Sequence, residues 1–155
     1  MIRPAQRRDL TELVELCALH ARHEGLAFEE NGQPARWEEA LFAEPPALHA
    51  WVVEAPGGKG LLGYMTAVVE YSTWAARDFV YMDCLYVRER GRRQGHGRRL
   101  VETLQAFARE RGIHELQWQT PPGNALGLDF YRRIGARPLE KIRFALGADA
   151  RKPAA

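Results

Sequence analysis

Residues 92–104, RRQGHGRRLVETL, set two glycines one residue apart among four arginines, directly before a stretch with helical apolar spacing. The first turn of a helix leaves four amide donors without intrahelical partners, and the helix dipole adds partial positive charge there. Gly95 and Gly97 let the backbone turn sharply and let a ligand approach with no Cβ in the way. Arginines on both sides supply long-range attraction and bidentate contacts to phosphate oxygens. Together these features make a phosphate cradle, set against the alternative of a basic, glycine-containing surface loop. The segment is not a P-loop, because no Gly-Lys-Ser/Thr follows, and not a dinucleotide fingerprint, because the third glycine is absent.

A second candidate lies in NALGLDFYRRIGARPL, starting at Asn124. On a helix, Gly127, Leu128 and Tyr131 share one face, while Leu126, Phe130 and Ile134 share another. The second stripe suffices for core packing, and the first holds a phenol two turns below an amide. A buried tyrosine ordinarily needs only a hydrogen-bond partner. A positioned one can also pass a proton to a departing thiolate, since phenols titrate near ~10 and thiols near ~8.5. Cys84 could serve as an acyl-accepting nucleophile, but nothing in the sequence places a base beside it, and small buried hydrophobe is the simpler reading. His20, His23 and Glu24 have helical spacing that could ligate a metal, yet no further strong ligand is evident, so no metal is expected.

These residues need elements to hold them. The chain has 155 residues, a net charge of +2, 46% hydrophobic and 27% charged residues, which fits one soluble globular domain. The positive charge is local, with Arg88, Arg90, Arg92, Arg93, Arg98 and Arg99 inside twelve residues. That excess calls for a local anionic partner rather than a nucleic acid along the whole surface. Two isolated cysteines, an N-terminus without a signal-peptide core and no long apolar run lead us to expect a cytoplasmic protein with no membrane contact.

The pattern predicts a short edge strand at 1–4, then a helix N-capped by Asp9, carrying Leu10, Leu13, Val14, Cys17 and Ala21, and stopped by Gly25. A short helix at 36–43 precedes an antiparallel hairpin of 49–55 and 61–71, and a further β-rich run covers 78–87. Residues 97–111 form the clearest helix, with Leu100, Val101, Leu104, Phe107 and Ala108 in one stripe. A strand at 113–119, a helix opened by PPGN and a last strand within ARPLEKIRFAL (136–146) complete a domain over 1–147, leaving 148–155 as a frayed tail.

The stretch CLYVRERGRRQGHGRRLVETL resembles motif A of the GNAT superfamily of N-acetyltransferases, Q/R-x-x-G-x-G/A, here Arg92-x-x-Gly95-x-Gly97. NALGLDFYRRIGARPL resembles motif B, and IRPAQRRDLTELVEL the first strand and helix. EYSTWAARDFVYMDCLYV and LHARHEG are most similar to the diamine (spermidine/spermine) and thialysine acetyltransferases within it. The resemblance implies a mixed α/β (α+β) fold: a bent, largely antiparallel sheet flanked by helices, with acetyl-CoA wedged where the third and fourth main strands splay. It implies acetyl transfer to a primary amine of a small molecule in a ternary complex, and commonly a homodimer. Cofactor contacts then fall on Leu85, Tyr86 and Val87, on Arg92, Arg93, Gln94, Gly95, His96, Gly97 and Arg98, and on Asn124, Ala125, Gly127 and Tyr131. Tyr131 takes the role of the acid for the leaving thiolate, and Asp83 that of the group orienting or deprotonating the amine.

His23, Glu24, Trp74, Asp83 and Gln119 are expected around the amine. Departures from the diamine enzymes at Cys84 and YSTW remove carboxylates, Gly123 stands in place of a tryptophan, and together they point to an acceptor smaller than a long polyamine, such as a lysine-like amino acid. The rival readings are a non-catalytic acyl-CoA sensor, an acetyltransferase acting on a protein or another amine, and a nucleic-acid-binding module using the arginine cluster.

Overall fold

The computed structural model describes residues 1–147, so the expected tail at 148–155 lies outside the described residues. Five strands run β1 (Ile2–Pro4), β2 (His49–Glu54), β3 (Leu61–Ser72), β4 (Arg77–Val87) and β5 (Leu116–Gln117), hydrogen-bonded in that order. The first three pairings are antiparallel and β4–β5 is parallel. Helices α1 (Leu10–His23), α2 (Gln33–Phe42), α3 (His96–Glu110) and α4 (Ala125–Arg133) complete the fold.

The sheet separates two apolar layers. Trp51, Val53, Met65, Val80 and Met82 meet Leu100, Leu104, Phe107 and Ala108 of α3 on one face. Ala50, Val52, Tyr64 and Tyr86 meet Leu10, Leu13 and Leu16 of α1 on the other. The α3 stripe expected from spacing is the buried one. Period-2 strands sandwiched between helices this way bury both faces, the arrangement that removes most apolar area from water.

Four expectations need correction. Asp9 holds the N-cap position of α1 as expected, but its carboxylate caps no α1 amide: it accepts from the Gln6 amide at 2.8 Å and from Arg3 at 2.7 Å, closing a capping box one turn earlier. Residues 113–119 pair only through Leu116–Gln117. No strand forms over 136–146, where Ile142, Phe144 and Leu146 are more than 80% exposed. With β5 cut to two residues, that segment finds no ladder in its own chain, and backbone groups without a ladder turn to water. The N-terminus of α2 also lies earlier than expected, with Pro34 in its first turn.

Candidate active site

The pivot of the site is an irregularity in β4. Thr66 pairs with Cys84 and Ala67 with Met82, so Asp83 has no partner on β3 and forms a β-bulge. A bulge turns the strand's facing by one residue. Val80 and Met82 therefore point to the α3 layer, whereas Cys84 and Tyr86 point to the α1 layer and Leu85 and Val87 return to α3. The carboxylate of Asp83 is exposed, with the Cys84 thiol 3.7 Å from its Oδ2.

β5 follows β4 only as far as Tyr81, so the two strands part just before the bulge. Leu85, Tyr86 and Val87 bond to β3 through Met65, Tyr64 and Gly63, and β5 does not reach their other edge. An unpaired strand edge is a template for another extended chain.

Beyond β4 the chain turns into α3 through residues 92–95. Arg93 has φ 60° and Gly95 φ 76°, both left-handed, with Gly95 as the N-cap residue. Among the described residues, the amides from Arg93 to Arg98 appear in no turn or cap hydrogen bond, and the first amide to do so is Arg99, to the Gly95 carbonyl at 3.1 Å. Successive amides in such a turn, ahead of a fifteen-residue helix, make an anion-binding concavity. The arginines divide their work. Arg92 Nε donates to the Val87 carbonyl at 3.0 Å, tying the loop to β4, while Arg93 and Arg98 are exposed. Arg99 donates to the Gln94 carbonyl at 3.1 Å and lies 2.9 Å from His96 Nδ1, and Gln94 donates to the Arg90 carbonyl. Gly97 serves packing as well: a Cβ there would stand 3.2 Å from Phe130 Cζ, so its bareness brings α3 and α4 together.

α4 begins on Asn124, whose Oδ1 accepts from the Gly127 amide at 3.0 Å and whose Nδ2 donates to Thr120. A Cβ on Gly127 would lie 2.6 Å from that side-chain nitrogen, so the cap requires glycine three residues on. The helix turns Tyr131 inward against Trp118 at 5.2 Å, while Leu126, expected in the core stripe, is 60% exposed. Burial, with the nearby charge of Glu24 and the Cys84 thiol, pushes the Tyr131 phenol up to about 12. The side chain is half-buried, and its hydroxyl stays accessible with no hydrogen-bond partner among the described residues. The end of α1 closes the site: Glu24 is the C-cap residue, the His23 ring sits 6.1 Å from Tyr86, and His20 and Glu24 form an i,i+4 pair at 3.4 Å.

The Acetyltransferase (GNAT) family model matches residues 9–136, a span that runs from α1 through the bulge, the arginine turn and α4. The chain belongs to the GNAT acetyltransferase family. This acetyltransferase is 32% identical over 149 residues to thialysine N-epsilon-acetyltransferase of Bos taurus, covering 90% of the chain and 85% of the relative. It is 25% identical over 81 residues to L-ornithine N5-acetyltransferase of Arabidopsis thaliana, covering 52% of the chain and 36% of that relative. A crystal structure of aminoglycoside N-acetyltransferase AAC(6')-Iy in complex with CoA shares the fold, with a TM-score of 0.78 at 19% identity over 96% of the chain and 94% of the other.

Within the acetyltransferase, the expected residues divide by place. Asp83, Glu24, His23, Tyr86 and Tyr131 converge around the bulge, and the 92–98 turn lies at the end of the same strand edge. Gln119 stands just past β5, donating to Tyr81 at 2.6 Å. Trp74 does not join them: it is fully exposed at the tip of the β3–β4 hairpin. Sequence reasoning weighed His20 only as a metal ligand and passed over Tyr64, which bonds Cys17 and His20, while His20 pairs with Glu24. The only signal for His20 was its helical spacing from His23 and Glu24.

Proposed function

We propose that the protein transfers an acetyl group from acetyl-CoA to the side-chain amine of a lysine-like amino acid, directly, within a ternary complex. The observation that carries this reading is the placing of an unbonded hydroxyl, on the half-buried Tyr131, near Glu24 and the Asp83 bulge, beside a strand edge that ends in free amides. Acetyl-CoA supplies an acetyl thioester. The amides of Arg93 to Arg98 fit its diphosphate, with Arg93 and Arg98 free to add charge. Leu85, Tyr86 and Val87 fit its extended pantetheine arm, which Asn124, Ala125 and Gly127 flank from the start of α4. Near the bulge, Glu24 and Asp83 attract the ammonium and take up its proton, by contact or through a water. Tyr131 returns a proton to the departing sulfur.

Burial pushes the Cys84 thiol up to about 12, so at neutral pH it is not a thiolate nucleophile, which favours direct transfer over an acyl-enzyme. Two carboxylates suit one or two positive charges better than a long polyamine. The similar proteins named for thialysine and ornithine both act on an amine at the end of an amino-acid side chain. A panel of thialysine, lysine, ornithine, putrescine and spermidine, assayed for kcat/KM, tests the reading, and equal values for spermidine and the amino acids would refute it. We further propose a homodimer, supported by the exposed alternation of Ile142, Phe144 and Leu146, a strand pattern without a partner among the described residues. A sedimenting mass of one chain would refute the pairing.

A further inference from the structure

The buried Tyr64 and the half-buried Cys17, His20 and Glu24 form a line of polar contacts that the acyl-transfer chemistry does not itself require. Cys17 Sγ donates to the Tyr64 hydroxyl at 3.0 Å, and the Tyr64 hydroxyl lies 3.1 Å from His20 Nδ1. His20 Nε2 lies 3.4 Å from Glu24 Oε1. Tyr64 is 1% exposed, and burial drives its phenol far above the ordinary range, so it always carries its proton. Burial also lowers the His20 imidazole, against the opposing pull of Glu24 and Asp83, which keeps it neutral at pH 7. A neutral imidazole has one N–H and one acceptor nitrogen. The phenol oxygen has two lone pairs, so beside the Cys17 thiol it can either accept from Nδ1–H or give its own proton to Nδ1; the second arrangement puts the imidazole proton on Nε2, facing Glu24. The ring is further held by stacking on Tyr86, 5.4 Å between centroids and 25° between planes.

We propose that His20 is a positioning residue for the amine acceptor: through a tautomer fixed by Tyr64, its Nε2–H anchors Glu24 Oε1 and leaves Oε2 for the substrate ammonium. This rests on the acceptor reading given above. Both side chains of the pair are less than one-fifth exposed, so the bond is shielded from the solvent competition that weakens helix-surface pairs. The groups facing His20 are His23 and Glu24 from its own helix, Tyr64 from β3, and Asp83 and Tyr86 from β4. A cationic substrate between Glu24 and Asp83 would further oppose protonation of the ring, so substrate and tautomer reinforce one another.

The test combines kinetics with a spectroscopic readout. H20A should raise KM for the lysine analogue about tenfold, the worth of one charge-assisted hydrogen bond. Turnover should change less than threefold, and KM for acetyl-CoA should not move. H20Q, which keeps an N–H donor, should recover most of that loss. Long-range 1H–15N correlation on the full chain should show His20 as the neutral Nε2–H tautomer at pH 7, and Y64F should mix the tautomers. An unchanged amine KM in H20A, an H20Q no better than H20A, or an Nδ1–H or protonated ring in the unmodified chain would each overturn the proposal. In those cases the unmodified chain still acetylates lysine analogues. A chain that acetylates no amine of the panel overturns the acceptor reading and this proposal together.

Discussion

Replacing Tyr131 by Phe tests the proposed proton donor. The phenol is pushed up to about 12, so at pH 7.5 only about one molecule in 10⁴ lacks the proton. Against a thiol in water near ~8.5, full transfer from such an acid would be uphill by about 3.5 pKa units, or roughly 5 kcal/mol. The reading therefore requires the site to raise the departing thiol as well, as burial raises the Cys84 thiol to about 12. A thiolate departing into that surrounding meets a proton donor of matched strength, the condition under which general acid catalysis is most effective. Losing the donor should lower kcat by about 10² to 10³, equivalent to roughly 3 to 4 kcal/mol of barrier. Since the hydroxyl has no protein partner, its removal orphans nothing, and stability should shift by less than about 0.5 kcal/mol. Steady-state kinetics, calorimetry with CoA and thermal denaturation on Y131F check the three parts. A kcat within threefold of the unmodified chain refutes the reasoning, and so does a loss of CoA affinity that accounts for the whole effect.

Two further substitutions probe the scaffold. Asp9→Asn takes the charge from a carboxylate that is 5% exposed and bound to Arg3, leaving Arg3 with Glu54 alone, and should cost about 3 kcal/mol in thermal denaturation. Burial pushes the Asp9 carboxyl up, but Arg3 and the Gln6 amide outweigh it, so its folded value lies below the unfolded one. The pair's stabilisation is therefore complete above about pH 4 and is lost as the pH falls below that, a slope that D9N should lack. Gly127→Ala should destabilise by about 1 kcal/mol or more, although helix propensity alone would favour Ala by about 1 kcal/mol. The added Cβ displaces Asn124 from its cap, and a raised denaturant midpoint for G127A would refute that account.

Much of the architecture was legible because local physics decides it. Alternating apolar residues can only bury as strands, and the Leu100–Val101–Leu104–Phe107–Ala108 spacing can only bury as one helix face, so β2, β3, β4 and α3 lie where the pattern puts them. The Arg92–Gly97 turn was readable because free helix-start amides and glycines have few other uses together. The face of α4 was not: Gly127 and Tyr131 point inward and Leu126 outward, because the Asn124 cap and the close approach at Gly97 fix the helix's rotation. The last strand failed for a related reason, since a strand exists only where another strand's edge is within reach.

By itself the sequence determined the elements, the basic turn and the residue types that can move a proton, for these depend on neighbours a few positions apart. Only the tertiary structure decided that Asp83 is the unpaired residue of a bulge, that β5 parts from β4 beside it, and that Tyr64 of β3 meets the His20 ring that faces Glu24. Those facts depend on register and packing between segments tens of residues apart, where a shift of one residue turns every side chain to the opposite face.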